Sequence, residues 1–220
     1  MFAMPESAIG LIPDVGGSYF LPRLPGALGL YLGLTGARLT SSDILYAGIG
    51  TAYMSSKKLD EFVNALLKDD ISSNVDVDAI IGCFAEDPGP AQLDEFRDLI
   101  DAAFGENTIE DIFDHLSIID HNWAKETVAV LKKMSPISLK IIIEQLRRGG
   151  KLDFDDCMKM EYRIVCAISS YDSDFYEGVR AVLIDKDHNP SWIPVSLDEV
   201  KTDMVMAHFN IPDEGEDLEL

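Results

Sequence analysis

The chain has 220 residues, of which 39 are Asp or Glu and 18 are Lys or Arg, so its formal net charge is −21. A field of that sign repels polyanions and excludes nucleic acid as the default partner. Hydrophobic residues make up 47% of the chain, which excludes a disordered protein and allows a substantial core.

Cysteines and histidines give no sign of a disulfide framework or a metal site. Cys83, Cys157 and Cys166 are an odd number without metal-ligand spacing, and we predict reduced thiols. The four histidines are scattered, so we predict no metal ion. No run of about 18 apolar residues occurs, so we predict no transmembrane helix and no membrane partner.

The first two dozen residues, MFAMPESAIGLIPDVGGSYFLPRL, are apolar except chiefly for the acids Glu6 and Asp14. Burying a carboxylate is costly unless it finds partners or shifts its pKa. Two carboxylates in an apolar setting are what general acid–base catalysis at neutral pH requires. Two structural alternatives stay open: Glu6 could lie in a surface turn after Pro5, and Asp14 could cap a helix. The chain enters this segment without a lead-in, so we expect that a preceding part is missing.

The next segment predicts a buried helix, a short capped helix and a strand. Residues 26–34 are apolar nearly all round, as in a buried helix. Thr40 and Asp43 have the spacing of a helix start. Residues 49–54 read as a strand.

From residue 57 onward the pattern is helical. Residues 57–68 place apolar side chains at i, i+3, i+4 and i+7, and helices follow at 78–85, 92–104 and 108–116. Thr108 and Asp111 form a predicted cap. We interpret 57–118 as an acidic helical insertion.

The last hundred residues predict further helices, at 121–134, 138–148, 153–170, 174–183 and 196–209. In the helix over 153–170, Met158, Tyr162, Val165, Cys166 and Ile168 or Ser169 track one side. The basic residues Lys140, Arg147 and Arg148 cluster in the helix that ends before Gly149, where cations complement the helix dipole. The tail DEGEDLEL is acidic and predicted to fray.

Read together, PESAIGLIPDVGGSYFLPRL and LGLTGARLTSSDILYAGIGTAY resemble the crotonase (enoyl-CoA hydratase/isomerase) superfamily. The resemblance is closer to its 3-hydroxyisobutyryl-CoA hydrolase branch. Asp14 in PDVGG, the helices SPISLKIIIEQLRRG and MEYRIV, and the segment DFYEGVRAVLIDKDHNPSW carry that closer resemblance.

The resemblance implies an α/β fold, a spiral of ββα repeats followed by a helical C-terminal region. This chain would hold the last turns of that spiral in residues 1–56. The acidic insertion would be 57–118, and the C-terminal helical region with its frayed acidic tail would be 119–220.

The resemblance also implies a function, the hydrolysis of an acyl-CoA thioester, 3-hydroxyisobutyryl-CoA, in valine breakdown. No metal and no organic cofactor is expected, because CoA is part of the substrate. Glu6 matches the catalytic glutamate of the family and Asp14 its substrate-binding acid; which of the two moves the proton stays open. Lys140 and Lys186 are candidate contacts for the CoA phosphates.

In the superfamily, two backbone N–H groups upstream of the PE motif form the oxyanion hole. Because one lost oxyanion donor costs about 10²–10³ in kcat, we predict that these 220 residues alone are not a competent hydrolase. We expect self-association, or an N-terminal half supplied separately. The alternatives are an enoyl-CoA hydratase or isomerase, and a non-catalytic assembly subunit of the same fold. The expected compartment is intracellular, the mitochondrial matrix in a eukaryote or the cytoplasm in a bacterium.

Overall fold

A computed structural model of the chain describes residues 1–68, 73–170, 173–212 and 217–220. The chain divides into two compact units. The smaller unit comprises Met1–Phe2 and Leu39–Glu95, and the larger unit comprises Ala3–Arg38 and Phe96–Leu220. The predicted sections 1–56, 57–118 and 119–220 follow sequence pattern rather than these boundaries, and they stay a prediction.

Helices dominate the described residues. The α-helices are α1 (Gly17–Phe20), α2 (Leu28–Thr35), α3 (Ser41–Tyr46), α4 (Leu59–Lys68), α5 (Asn74–Phe84), α6 (Leu93–Phe104), α7 (Ile109–Ile118), α8 (Asn122–Leu131), α9 (Pro136–Gly149), α10 (Phe154–Ile168), α11 (Asp174–Val179) and α12 (Thr202–Ala207). The 3-10 helices are Glu6–Ile9, Leu21–Arg23, Ser56–Lys58 and Leu197–Glu199, and a π-helix covers Arg180–Ile184.

The smaller unit contains the predicted capped helix, α3. The hydroxyl of Thr40 accepts a hydrogen bond from the backbone N–H of Asp43, and the Asp43 carboxylate accepts one from the backbone N–H of Thr40. Asp43 is buried and also accepts a hydrogen bond of 2.9 Å from the N–H of Leu93. Burial by itself raises the pKa of Asp43, but these hydrogen bonds outweigh it and leave the pKa below its usual value. The predicted helix start is confirmed.

The predicted strand over 49–54 is wrong, because the structure has no strand there. The carbonyl of Tyr53 accepts a hydrogen bond of 2.8 Å from the N–H of Glu86, and the N–H of Ser55 donates to the Glu86 carboxylate at 3.2 Å. The N–H groups of Ile49 and Gly50 instead donate to the carbonyl of Ile44, so the segment begins in a turn. Within the described ranges, the ladder pairing consists of the isolated antiparallel bridge between Phe2 and Leu39.

The larger unit is built around α2, the predicted buried helix. Leu28, Leu32 and Leu34 are fully buried. Burying an aliphatic side chain of this size contributes about 2 kcal/mol to stability. At Gly33, a side chain would meet Ile142 and Leu146 of α9 at 3.4 Å, so the two helices pack closely. The uniformly apolar sequence of α2 thus reflects burial on several sides.

Aromatic rings connect α2, α6 and α8 in the larger unit. The rings of Tyr31 and Phe104 meet edge to face with centroids 5.2 Å apart. Phe96 and Trp123 are nearly parallel, at 10° and 6.0 Å. Such pairs contribute about 0.5–1.5 kcal/mol beyond the area they bury.

Two predictions in the C-terminal region need correction. In α10 the buried residues are Cys157, Met160, Glu161, Ile164 and Ile168. Of the predicted side only Ile168 is among them, and Tyr162 is exposed. The predicted helix over 196–209 is also interrupted, because Leu197–Glu199 is a 3-10 helix and α12 begins at Thr202. The residues between adopt extended backbone angles.

No helix in the described part of the chain has both the length and the apolar character needed to cross a membrane.

Candidate active site

Glu6 is the first residue of a 3-10 turn that is anchored on both sides. The turn, Glu6–Ile9, ends at Gly10, which has a φ of +70°. The hydroxyl of Ser7 is buried and donates to the carbonyl of Leu34 at 3.1 Å. The carbonyl of Ser7 accepts a hydrogen bond from the N–H of Ser135 at 3.3 Å. These contacts fix the backbone that carries Glu6.

Helix α11 packs against this turn without room for side chains. A Cβ on Gly10 would lie 2.4 Å from the backbone of Asp174, and a Cβ on Gly178 would lie 2.4 Å from the backbone of Ile9. Both positions therefore require glycine for the close approach. The carboxylate of Asp174 is buried and accepts hydrogen bonds from the Ser135 hydroxyl at 2.5 Å and from the N–H of Ile193 at 2.8 Å.

The carboxyl group of Glu6 lies in a poorly solvated environment. Burial is the largest cause that raises the pKa of Glu6; a backbone hydrogen bond opposes it and the negative charge of Asp14 adds to it, and together they raise the pKa from 4.5 to about 7. Its Oε2 atom is buried and has no hydrogen-bond partner among the described residues. A carboxyl with this pKa is present in both protonation states at neutral pH, as a general acid or base must be.

Asp14 lies on a loop whose neighbours are fixed by helix α9. The side-chain amide of Gln145, fully buried in α9, donates to the carbonyl of Pro13 at 2.7 Å. The carbonyl of Asp14 accepts a hydrogen bond from the N–H of Gly17 at 2.8 Å. The alternative prediction that the Asp14 side chain caps a helix is wrong, because the N-cap of α1 is Gly16 and no side chain caps it.

Glu161 of α10 holds the other side of the Asp14 loop. Its carboxylate accepts hydrogen bonds from the N–H of Gly16 at 2.9 Å, the N–H of Ser18 at 2.8 Å and the hydroxyl of Ser18 at 2.5 Å. Glu161 is only 3% exposed. A buried carboxylate with three donors is a rigid anchor, so the position of Asp14 depends on α10 as well as α9.

Val15, between Asp14 and Gly16, has an unusual backbone conformation. Its φ is +47°, in the left-handed region that a β-branched residue rarely adopts, and its side chain is 79% exposed. Strain of this kind persists where the surroundings impose it, and it is concentrated at functional sites. The bonds from Gln145 and Glu161 supply that constraint.

The sequence predicted two kinds of site residue: the acids Glu6 and Asp14, and the basic residues Lys140 and Lys186. Asp14 lies close enough to Glu6 for its negative charge to raise the pKa of Glu6. Their catalytic and binding roles stay a prediction. Glu161 and Gln145 were not predicted, although Glu161 lies within the quoted segment MEYRIV. The available signal was an acid at helical spacing from the apolar residues Cys157 and Ile164.

The basic residues of α9 are held by local partners. Lys140 forms an ion pair of 2.7 Å with Glu110 and donates to the carbonyl of Val200 at 3.1 Å. Arg147 and Arg148 both contact Glu144. Lys186 lies in an exposed segment, with a φ of +58°. Contact of Lys140 and Lys186 with CoA phosphates stays a prediction.

Comparisons with known proteins define the family. The family model described as enoyl-CoA hydratase/isomerase matches residues 1–209. The chain therefore belongs to the enoyl-CoA hydratase/isomerase family, and the resemblance inferred from the sequence is confirmed.

The curated relatives are hydrolases by name. The chain is 44% identical over 214 residues to the mitochondrial 3-hydroxyisobutyryl-CoA hydrolase of Xenopus laevis and 42% identical to that of Homo sapiens, each match covering 95% of this chain and 55% of the relative. It is 39% identical to 3-hydroxyisobutyryl-CoA hydrolase 1 of Arabidopsis thaliana, covering 100% of this chain and 60% of the relative. The chain thus spans little more than half the length of these relatives.

Two solved structures share the fold. A carnitinyl-CoA dehydratase from Mycobacterium thermoresistibile matches with a TM-score of 0.85 and 39% identity, over 96% of this chain and 59% of that one. An enoyl-CoA hydratase from Rhodobacter sphaeroides 2.4.1 matches with a TM-score of 0.81 and 32% identity, over 93% and 58%. The predicted membership of the crotonase fold is confirmed.

Proposed function

We propose that the protein hydrolyses the CoA thioester of a 3-hydroxy acid, 3-hydroxyisobutyryl-CoA. The observation that carries the proposal is the Glu6 carboxyl, whose pKa is raised by burial to about 7 beside the charge of Asp14. The names of relatives about 40% identical to the chain supply the substrate. Valine breakdown is the corresponding metabolic role.

In the proposed reaction, Glu6 transfers the proton. As a carboxylate it takes a proton from water while the water oxygen bonds to the acyl carbon. The carbon–sulfur bond then breaks, and the proton passes to the thiolate of CoA. The products are the free carboxylic acid and CoA. Because CoA is part of the substrate and Glu6 supplies the proton transfer, we propose that no metal or organic cofactor takes part.

Asp14 is proposed to hold the hydroxyl group of the substrate. An aspartate carboxylate accepts a hydrogen bond from a hydroxyl, and the braced loop around Gly16 holds the acceptor in place. A site built to bond a hydroxyl rejects analogues that lack it, because its polar group is then left unpaired. This role predicts selectivity for 3-hydroxyacyl thioesters over unsubstituted ones.

The test measures CoA release from 3-hydroxyisobutyryl-CoA by the protein expressed from its complete coding sequence. Glu6→Gln should lower kcat by about 10²–10⁴-fold, the usual contribution of a general acid–base group. Asp14→Asn should raise KM and reduce the preference for the 3-hydroxy substrate. Glu126→Gln, at an exposed position of α8, is the control and should leave both unchanged.

Three outcomes of this assay would contradict the proposal. They are no CoA release by the folded protein, full activity of Glu6→Gln, and equal rates for substrates with and without the hydroxyl. A protein that binds acyl-CoA but neither releases CoA nor hydrates an alkene would instead fit a non-catalytic subunit of this fold.

The second candidate function is the hydration or dehydration of an enoyl-CoA. It is favoured by the two solved structures, whose titles name a dehydratase and a hydratase. The two reactions differ in product, because hydrolysis releases a free thiol and hydration removes a conjugated alkene with its ultraviolet absorbance. Alkene loss without thiol release would select the second candidate.

We further propose the α/β spiral of the family as the architecture of the whole protein, and an intracellular compartment. The relatives from Xenopus laevis and Homo sapiens are named mitochondrial, which supports the mitochondrial matrix in a eukaryotic host. Subcellular fractionation with an antibody against the native protein tests the compartment; recovery in the secreted fraction would contradict it.

A further inference from the structure

A cavity of about 160 Å³ in the larger unit is lined by the first turn of α9, the last turns of α10 and the start of α11. Ser138 and Ser173 are among its lining residues. Neither of these serine hydroxyls has a hydrogen-bond partner within the described residues. We call the cavity the serine pocket. Glu6 and Asp14 do not line it, so the proposed hydrolysis gives it no role.

Ser138 brings an unpaired hydroxyl to the pocket from α9. The residue is only 1% exposed, and its backbone N–H donates to the hydroxyl oxygen of Ser135 at 3.2 Å. Its own Oγ atom is buried and is bonded by no other described residue. A buried polar atom without a partner has lost its hydration and gained nothing in return, so such atoms usually bond water or a ligand.

Ser173 brings the second unpaired hydroxyl. It is the N-cap residue of α11, where a serine side chain normally accepts a hydrogen bond from an N–H group of the first turn. The Ser173 side chain makes no such bond, and its Oγ atom is buried. Each serine turns about a single side-chain bond and can both donate and accept. Two adjustable hydroxyls are therefore available to one ligand.

The charges around the pocket favour a neutral ligand. Asp174 lines it, and the carboxylate oxygens of this buried residue already accept hydrogen bonds from Ser135 and Ile193. This carboxylate repels an anion, and none of the described lining residues is a lysine or arginine that could hold one. Ser138 lies in the first turn of the 14-residue helix α9, where the helix dipole disfavours a cation.

His208 adds a neutral acceptor to the lining. Its Nδ1 atom lies 2.9 Å from the carbonyl oxygen of Met204. A carbonyl only accepts, so Nδ1 carries the proton of the neutral ring and Nε2 is the acceptor. Burial lowers the pKa of His208 below its usual value, although the backbone bond opposes the shift, so the ring is neutral at pH 7.

The remaining wall of the pocket is apolar. Ile137 and Ile141 of α9 and Ala167 and Ile168 of α10 form it. A buried water molecule needs about two to four polar partners, which this wall does not offer. A ligand with both hydroxyl groups and hydrocarbon therefore suits the lining better than water alone. An apolar cavity of about 150 Å³ binds benzene, so the serine pocket admits a ligand of similar size.

We propose that the serine pocket binds a small neutral diol, a molecule with two hydroxyl groups on a short hydrocarbon chain. Its hydroxyls would bond Ser138 and Ser173, with His208 Nε2 as a further acceptor, and its hydrocarbon would lie against Ile137 and Ile141. The proposal does not depend on thioester hydrolysis.

Titration of isoleucine methyl-labelled protein with butane-1,2-diol and, separately, butane-1,3-diol tests the proposal by NMR. The methyl signals of Ile137, Ile141 and Ile168 should shift and saturate at millimolar concentrations, as expected for a ligand of so few atoms. Those of Ile100 and Ile112, buried in α6 and α7, should stay in place. Single Ile→Val substitutions assign the signals.

The double variant Ser138→Ala/Ser173→Ala should bind the diols about tenfold more weakly or worse, because two hydrogen bonds are lost. Neither substitution removes a side-chain hydrogen bond found in the described structure, so the variant should fold with the melting temperature of the parent. The matched control Ser56→Ala/Ser117→Ala removes two exposed serine hydroxyls outside the pocket and should bind as the parent does.

Three further ligands of similar size test the chemistry: butan-1-ol lacks one hydroxyl, 2-hydroxybutyrate is an anion and butylammonium is a cation. All three should bind more weakly than the better diol. Diol binding that the double variant weakens supports the proposal, and the better diol gives the spacing of the two hydroxyls.

Four outcomes would overturn the proposal. No methyl shift with either diol would mean a pocket filled by water alone. Equal affinities in parent and double variant would exclude the serine hydroxyls as partners. Butan-1-ol as tight as the diols would mean a purely apolar cavity, and tighter binding of either ion would mean a charged site. None of these readouts requires turnover, so failure of the proposed hydrolase activity is separately visible.

Discussion

Glu161 is the residue on which the geometry around Asp14 most depends. It bonds Gly16 and Ser18 through three short contacts, and its side chain is almost inaccessible to water. A buried carboxylate is costly unless its oxygens are satisfied, and here the loop satisfies them. The loop and the helix therefore stabilise each other.

Replacing Glu161 by Gln tests this positioning role. The amide presents one oxygen and one NH₂ group where the carboxylate presents two acceptors, so at least one loop N–H loses its partner. We expect a loss of about 2–4 kcal/mol in stability. We also expect kcat to fall about tenfold to a hundredfold as Asp14 shifts, with the pH midpoint of Glu6 unchanged.

The control for Glu161 is Ser18→Ala, which removes one of the three donors and should have a smaller effect on both quantities. An unchanged kcat in folded Glu161→Gln would contradict the positioning role. A shifted pH midpoint would show instead that Glu161 acts on Glu6 directly.

Glu6 makes folding stability depend on pH. Its pKa is raised from 4.5 to about 7 in the folded protein, so between these values the folded state binds more protons than the unfolded state. Its contribution to stability is therefore complete below pH 4.5 and is lost as pH rises through about 7. Glu6→Gln removes this dependence, because an amide does not titrate.

The variant Glu6→Gln should match the parent at about pH 4.5 and be more stable at pH 8 by on the order of 2 kcal/mol, a value reduced for the partial solvent exposure of Glu6. Melting temperatures measured across this pH range give the result. Glu126→Gln, which changes an exposed carboxylate, should show no such divergence. Equal stability of Glu6→Gln and parent at pH 8 would contradict the raised pKa.

At the scale of elements, the contact between α11 and the 3-10 turn is a backbone-to-backbone approach. A Cβ on Gly178 would lie 2.4 Å from three backbone atoms of Ile9, and backbone atoms cannot move aside as a flexible side chain can. The position of Glu6 thus depends on α11 through Gly178. Neither Gly10 nor Gly178 stands in a sequence pattern from which this close contact could be predicted.

Gly178→Ala should therefore separate the helix from the turn and destabilise the protein by about 1–3 kcal/mol. Gly82→Ala is the matched control, because Gly82 is also helical and no atom lies within 4 Å of its added Cβ. Alanine there should stabilise the protein by about 0.5–1 kcal/mol through helix propensity. Denaturant unfolding of both variants checks the result, and a stable Gly178→Ala protein would contradict the close approach.

The starts of helices were predictable from sequence where a capping contact between near neighbours determines them. The caps at Thr40 and Thr108 are confirmed, since a cap is a contact between near neighbours. The buried side of α10 was not predictable, because its apolar pattern fits two faces and the choice is made by contacts with the distant residues Gly16 and Ser18. The prediction of a strand over 49–54 was wrong for a related reason. A strand needs a neighbouring strand to pair with, and the local sequence does not show whether one is present.

The residues of the candidate site divide in the same way. Glu6 and Asp14 were identifiable because a carboxylate within an apolar run demands an explanation. Gln145 and Glu161 lie more than a hundred residues away along the chain, at separations of 132 from Pro13 and 145 from Gly16. Only the tertiary structure brings such supports to the loop. Sequence reasoning thus found the candidate chemical groups and missed what holds them.

At the scale of the whole molecule, charge repulsion is the dominant electrostatic feature. A net charge of −21 on 220 residues favours expanded states, because like charges separate on unfolding. Ion pairs such as Arg163 with Asp217 offset this repulsion only locally. Screening by salt weakens long-range repulsion more than it weakens short, partly buried pairs.

Added salt should therefore stabilise the protein. We expect the melting temperature at pH 8 to rise by a few degrees between about 0.02 M and about 0.5 M NaCl, since the Debye length falls well below the spacing of surface charges. The same titration at about pH 5 is the internal control: the sequence pI is about 4.3, so the net charge and the salt effect are both smaller there. A melting temperature that falls with salt at pH 8 would mean that ion pairs outweigh the net repulsion. A rise of equal size at both pH values would point to preferential exclusion of salt rather than to charge screening.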